Sequence, residues 1–371
     1  SHRFSGLRYS MSVSELVSLD VIPGRGPRIY GALRRAVNSK CAALIVHPSS
    51  NFFDHYLMEE LPKRGVTLLA LNTRYLNNDP HLIFEHIIDD VGAGVRYLRE
   101  KGFDKIVLLG NSGGASTVAL YQSEAENLTI TDTPAGDPVR LNAENLPSAD
   151  GIALFGAHPG RALLLLKWID GSVTDENDPL SVDNSLDIFK PENGPPFTPQ
   201  FVSKVRRAQQ ERSERISNRT RRRLQTLRSS PENARDEAFI VHRTCADPRF
   251  FDLSLDPNDR EPGMIWGDPY RLNYGPRDIA RFTTLTSWMS QWSLASRAHG
   301  PDCIARTTVP VLNLEFTADT NALPSDIAMW TDAVGDRQEF HRIKDATHFL
   351  IDQPKARRNV GEVISDWSLK L

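Results

Sequence analysis

The passage that most constrains this chain runs from the apolar stretch Ile106-Val107-Leu108-Leu109 through Gly110-Asn111-Ser112-Gly113-Gly114 into Ala115-Ser116-Thr117-Val118-Ala119-Leu120. A short run rich in leucine and β-branched residues predicts a buried strand, and the residues after the glycines suit a helix, so the chain must turn sharply around one serine. An elbow of this kind holds its central residue in a strained conformation with the hydroxyl projecting. The flanking positions must be small because a Cβ there would strike the strand or the helix. A G-x-S-x-G pentapeptide recurs by chance, and the strand before it and helix after it are what give it weight. A phosphate-cradling turn is the competing reading. This turn, however, follows the fifth expected strand and lacks the G-x-G-x-x-G spacing.

A serine hydroxyl is a weak nucleophile until a base takes its proton, so Ser112 requires a partner further along the chain. Val309-Pro310-Val311-Leu312-Asn313-Leu314-Glu315-Phe316 reads as a buried strand, and Thr317-Ala318-Asp319 sets a carboxylate just beyond its end, before Pro324 opens a helix. Asp319 is the candidate acid; Asp326 falls inside the next helix and Glu315 inside the strand. A strand over Gln338 to Ile343 leads to Lys344-Asp345-Ala346-Thr347-His348, placing His348 in a loop ahead of the last helix as the candidate base. His341 is the fallback, but it lies within the strand.

These three regions resemble the α/β-hydrolase superfamily, over roughly 10 to 158 and 305 to 371. The resemblance implies an α/β fold with a mostly parallel, doubly wound sheet. Other segments agree with it. Val13 to Val21 and Ile29 to Val37 read as an antiparallel pair around Pro23-Gly24-Arg25-Gly26-Pro27, and Cys41 to Val46 and Val66 to Leu71 as central strands buried on both faces. Leu82 to Glu100 carries Phe84, Ile87, Ile88, Val91, Val95 and Leu98 at helical spacing, and the final helix repeats this with Val360, Val363, Ile364 and Trp367. By the same resemblance, the Gly113 amide is one donor to an oxyanion. The second would come from the loop His47-Pro48-Ser49-Ser50, where proline replaces the family's usual glycine and has no N–H. Ser49, with Ser50 close behind, is therefore the expected second donor, and His47 is read as shaping the loop.

Strand six is expected at Gly151 to His158, and about 150 residues then pass before Val309, far more than a crossover needs. The division expected is a core first part over 1–158, a mainly helical cap inserted over 159–304, and a core second part over 305–371. Within the insertion, Gly171 to Pro199 reads as loop-rich, Phe201 to Leu227 as one long helix or a helical hairpin, and Ile279 to Arg297 as a further helix. By resemblance such a cap walls the substrate pocket. The arginines between Lys204 and Arg228 fit either a solvated helix face or an anionic ligand, and a whole-chain charge of −3 favours the former.

The three cysteines, Cys41, Cys245 and Cys303, have neither the number nor the spacing of a disulfide framework or zinc site, so no metal site is expected, and the triad chemistry that the resemblance implies requires no cofactor. Near-neutral charge argues against a nucleic-acid partner, and no stretch has the length of a membrane span. A cytoplasmic location is expected from the polar N-terminus, which has no apolar signal region, with Ser1-His2 compatible with an expression remnant. Serine-dependent hydrolysis of a carboxylic ester through Ser112, His348 and Asp319 is the expected activity. The substrate would be a small molecule, with an apolar or aromatic group hinted at by the aromatics of the insertion, and a homo-oligomer is compatible with the sequence. Serine at the elbow excludes the aspartate-nucleophile branches, the haloalkane dehalogenases and epoxide hydrolases. Acyl transfer, carbon–carbon bond, amide or lactone hydrolysis on the same residues stay open, and so, from another class, does a fold member that binds ligand without turnover.

Overall fold

Continuous apolar runs can be satisfied only by strands covered on both sides, and the chain provides that cover with helices between them. The computed structural model of the protein describes residues 13–371; the reading of the N-terminal twelve residues lies outside the described part. Strands β1 (Glu15–Ile22), β2 (Arg25–Arg34), β3 (Cys41–His47) and β4 (Thr67–Asn72) are followed by β5 (Lys105–Asn111) and β6 (Gly151–Phe155). A short helical turn α1 (Leu57–Glu60) precedes β4, and α2 (Phe84–Glu100) and α3 (Gly114–Glu126) flank β5. After β6 come α4 (Arg161–Trp168), α5 (Pro199–Arg228), β7 (Ala238–Ile240), α6 (Pro269–Tyr274), β8 (Phe282–Thr284), α7 (Leu285–Ser287) and α8 (Gly300–Ala305). The chain closes with β9 (Val311–Phe316), α9 (Pro324–Val334), β10 (Gln338–Ile343) and α10 (Pro354–Lys370).

The main sheet has eight strands in the order β1-β2-β4-β3-β5-β6-β9-β10, antiparallel at β1/β2 and β2/β4 and parallel from there on. Alternation along β3 shows how it is covered. Ala42, Leu44 and Val46 join a core with Phe84, Ile88 and Val91 of α2, Val118 of α3 and Trp330 of α9. Ala43 and Ile45 face the opposite core, with Leu57 of α1 and Val360, Ile364 and Trp367 of α10. Helices therefore lie on both faces of the sheet, as a doubly wound topology requires.

The segment between β6 and β9 carries apolar clusters of its own, one of them gathering Ile216, Leu224, Leu285, Trp288 and Trp292. Helix α5 is a single helix of 30 residues, started by Pro199 and capped by the Thr198 hydroxyl, which accepts the Phe201 amide at 3.1 Å. Four of its arginines, Arg206, Arg212, Arg223 and Arg228, are tied to partners outside the helix, while Arg207, Arg215, Arg219 and Arg222 are exposed. Arg206 pairs with Asp247 at 2.8 Å and Arg223 with Glu237 at 2.7 Å, while Arg212 is wholly buried against Glu176 and three backbone carbonyls. A wholly solvated face is thus not what α5 presents.

Two sequence expectations change. The first hairpin turns over Pro23-Gly24 alone, with Gly24 at φ +72°, so β2 begins at Arg25, earlier than Ile29. Ile279 to Arg297 is not one helix: Phe282–Thr284 pairs antiparallel with Ala238–Ile240, and a π turn follows at Trp288–Trp292. The two adjacent threonines, stiff at χ1, favour the strand over the helix that the apolar spacing suggests. No helix among the described residues is long and apolar enough to cross a membrane.

Candidate active site

Ser112 stands at the carboxyl end of β5 with φ +55°, a left-handed conformation that a non-glycine residue adopts only where its surroundings impose it. Those surroundings are close-packed. A Cβ on Gly110 would lie 2.7 Å from the Ala115 Cα, and one on Gly114 would run into the Val46 carbonyl oxygen of β3. Asn111 fixes the approach to the turn: its amide donates to the Phe155 carbonyl at 2.9 Å, and its Oδ1 lies 3.1 Å from His55 Nε2. The Leu57 amide donates to His55 Nδ1, so His55 carries its proton on Nε2 and donates it to Asn111. Burial holds His55 down to about 4, which keeps the ring neutral at ordinary pH.

The structure brings Ser112, His348 and Asp319 together across 236 and 29 positions of sequence. His348 Nε2 is 2.9 Å from Ser112 Oγ, and His348 Nδ1 is 3.0 and 2.9 Å from the two carboxylate oxygens of Asp319. Asp319 is fully buried and further held by the backbone amides of Asn321 and Ala322, which donate to Oδ1 at 2.7 and 3.2 Å. A carboxylate on Nδ1 fixes the proton there, leaving Nε2 as an acceptor for the serine hydroxyl. Of the fallback residues, His341 lies half-exposed in β10 on Glu339, Glu315 pairs with Arg342, and Asp326 caps α9 through the Leu323 amide.

Gly113 follows Ser112 at the start of α3. In the loop after β3, the Ser49 and Ser50 amides both donate to His47 Nδ1, at 3.2 and 2.9 Å, so each expected second donor is engaged within its own loop. Three residues beyond the sequence reading also face this space. His158 lies just past β6, where its Nδ1 accepts the Gly160 amide at 3.2 Å. Arg161 donates to Asp79 and Gln291, each at 2.7 Å, and to Ser49 Oγ at 3.1 Å, stapling three loops together. The Asn321 side-chain amide sits 3.4 Å from His348 Nε2. For His158 the available signal was its place at the carboxyl end of a parallel strand, where open α/β sheets bind their ligands.

A cleft of about 1060 Å³ opens over Ser112 and His348. Its floor is the sheet's carboxyl edge, and the segment between β6 and β9 contributes Leu164, Trp168, Ile265, Trp266 and Trp292 to its wall. Among the described residues there is no group of three or more side chains able to hold a metal ion, and the three cysteines are buried and unpaired.

No protein-family model and no curated protein matches the sequence, whereas solved structures align over nearly all of it. The chain is similar to the α/β hydrolase GrgF from Penicillium sp. sh18, at 11% identity over 96% of this chain and 98% of that one, with a TM-score of 0.52. It is similar as well to DcsB, solved in complex with its substrate analogue, at 12% identity over 96% and 98% of the two chains, with a TM-score of 0.53. The esterase domain of a Rhodothermus marinus protein aligns at 14% identity over 96% and 97%, with a TM-score of 0.48. Likeness at such identities defines the fold: this chain has the α/β-hydrolase fold.

Proposed function

We propose that the protein is a serine hydrolase acting on carboxylic esters. The observation that carries this reading is the continuous line from Ser112 Oγ through His348 to the buried Asp319, each link between 2.9 and 3.0 Å. In the first step Ser112 Oγ bonds to the acyl carbon while its proton passes to His348 Nε2, and the carbonyl π pair moves onto oxygen. Asp319 stabilises the imidazolium and holds its orientation. The same proton then leaves with the departing alcohol. A water molecule, deprotonated by His348, attacks the acyl carbon, and as the bond to Ser112 Oγ breaks to release the acid, His348 returns that proton to the serine oxygen. The Gly113 amide donates to the oxyanion at both tetrahedral stages. No step calls for a metal or an organic cofactor.

In this reading the segment over 159–304 acts as a cap that selects substrate, and the tryptophans and aliphatic side chains on the cleft wall suit an apolar or aromatic acyl or alcohol group. The test is a time course on short and medium p-nitrophenyl esters with native protein and Ser112→Ala, paired with intact-mass detection of a fluorophosphonate adduct. Turnover and a single adduct in the native protein, both lost in the variant, support the hydrolase. Absence of both in the native protein rejects it in favour of a ligand-binding member of the fold. Product analysis with an added alcohol or amine separates hydrolysis from acyl transfer.

A further inference from the structure

Two imidazoles converge on the residue that follows the nucleophile. A methyl group placed on Gly113 would sit 2.9 Å from His47 Nε2 and 3.5 Å from His158 Nε2, and both rings line the cleft with Ser112. Their tautomers are set by the backbone. His47 Nδ1 accepts the Ser49 and Ser50 amides and His158 Nδ1 accepts the Gly160 amide, so in each ring the proton must reside on Nε2. Each Nε2–H therefore points a donor toward the space beside Gly113, and among the described residues neither finds a hydrogen-bond partner there. Meanwhile Pro48 has no N–H and the next two amides are already used by His47.

We propose that His47 and His158 are catalytic residues that donate their Nε2–H groups, with the Gly113 amide, to the oxyanion formed when Ser112 attacks. The two backbone donors expected after β3, the Ser49 and Ser50 amides, are thereby replaced by side chains. This inference rests on the hydrolase reading of Ser112. Both rings keep their protons throughout: the serine's proton goes to His348 and then to the leaving group, and the histidines contribute hydrogen bonds only. Burial holds both rings down to about 3, so they stay neutral donors over the working range, and neither can serve as a competing base because its one free nitrogen already carries the proton. Neutral donors fixed in place before the reaction are the arrangement that stabilises developing negative charge with little reorganisation.

The test compares His47→Phe, His158→Phe and the corresponding Gln variants on a p-nitrophenyl ester, with a trifluoromethyl ketone as a tetrahedral-adduct probe and the product acid as a ground-state probe. Each Phe variant is expected to lose about 10²–10³-fold in kcat with KM little changed. Ketone affinity should fall in parallel, product-acid affinity should hold, and Gln, which retains a donor, should recover part of the loss. Should the variants not fold, native protein labelled with [15N]histidine gives the answer: two Nε2–H resonances move downfield when the ketone adduct forms. Turnover that depends on Ser112 yet survives within about threefold in both Phe variants overturns the assignment, as do Nε2–H resonances unmoved by the adduct. Turnover that survives Ser112→Ala rejects the hydrolase reading itself, and this inference with it.

Discussion

Asp319 holds His348 through both of its carboxylate oxygens, at 3.0 and 2.9 Å from Nδ1, and is itself wholly removed from solvent. Because the Asn321 and Ala322 amides anchor Oδ1, the carboxylate is fixed before any substrate arrives. Asp319→Asn would keep an acceptor for those amides, but its amide group could stabilise the wrong imidazole tautomer and would remove the charge that balances the imidazolium. The expected outcome is a fall in kcat of about 10⁴-fold with the fold retained. Steady-state kinetics beside circular dichroism check it, and a variant with near-native kcat would show that Asp319 does not set the state of His348.

The elbow should be intolerant at Gly114. An alanine there would press its Cβ into the Val46 carbonyl oxygen, a backbone atom of the central strand β3 that cannot swing aside. Gly114→Ala is expected to cost about 3 kcal/mol or more, the upper part of the overpacking range. Gly24→Ala is the control: its Cβ meets nothing within 4 Å, leaving only the strain of φ +72°, about 1 kcal/mol. Denaturant unfolding of both variants gives the comparison, and equal losses would show that the clash is relieved by movement of the elbow.

What could be read from the sequence, and what could not, divides along the range of the interactions. The strand, the elbow and α3 are written in adjacent residues. Asp319 and His348 stand out as candidates because each follows a strand-like run, and β5, β9 and β10 are parallel strands of one sheet, so their carboxyl ends meet on one side. The strand at Phe282–Thr284 escaped because its partner is Ala238–Ile240, and no local pattern encodes a pairing across that distance. Arg212 was indistinguishable from its exposed neighbours on α5, since its burial depends on carbonyls at Asp170, His242 and Arg243. His47 was visible as a loop residue, but the direction of its Nε2 depends on two amides folding back onto Nδ1, a matter of loop geometry rather than residue type.

Acid should unfold this protein through its histidines. Burial, the largest cause in every case, lowers His47 and His158 to about 3 and His55 and His86 to about 4. In the unfolded chain each would bind a proton near pH 6.5. Between that value and the folded one, the unfolded state holds more protons, so stability is full above pH 6.5 and falls as the pH drops toward 3–4. The slope is at most about 1.4 kcal/mol per pH unit for each histidine. Urea midpoints measured from pH 7.5 to 4.5 should fall steadily, and His86→Phe, a ring remote from Ser112, should flatten the decline. A decline in His86→Phe as steep as in the native protein would mean that this ring takes up its proton in the folded state.

Asp278 should act in the opposite sense. Its side chain is buried between Cys245 and Arg281; its Oδ1 accepts the Ile279 amide at 2.7 Å, and the Arg281 guanidinium remains 3.9 Å from its Oδ2. Burial pushes the carboxyl up to about 7, so the folded state binds this proton more tightly than the unfolded chain does. The stability it contributes is present below about pH 4 and is lost as pH rises through 7. Above that, the folded protein carries a buried carboxylate with poor compensation. Asp278→Asn keeps the acceptor for Ile279 and removes the charge, so the variant should exceed the native protein by about 1–3 kcal/mol at pH 8, with the gap closing toward pH 5. Parallel melts at the two pH values decide it, and a gap that does not change with pH would show that the carboxyl is not the group being titrated.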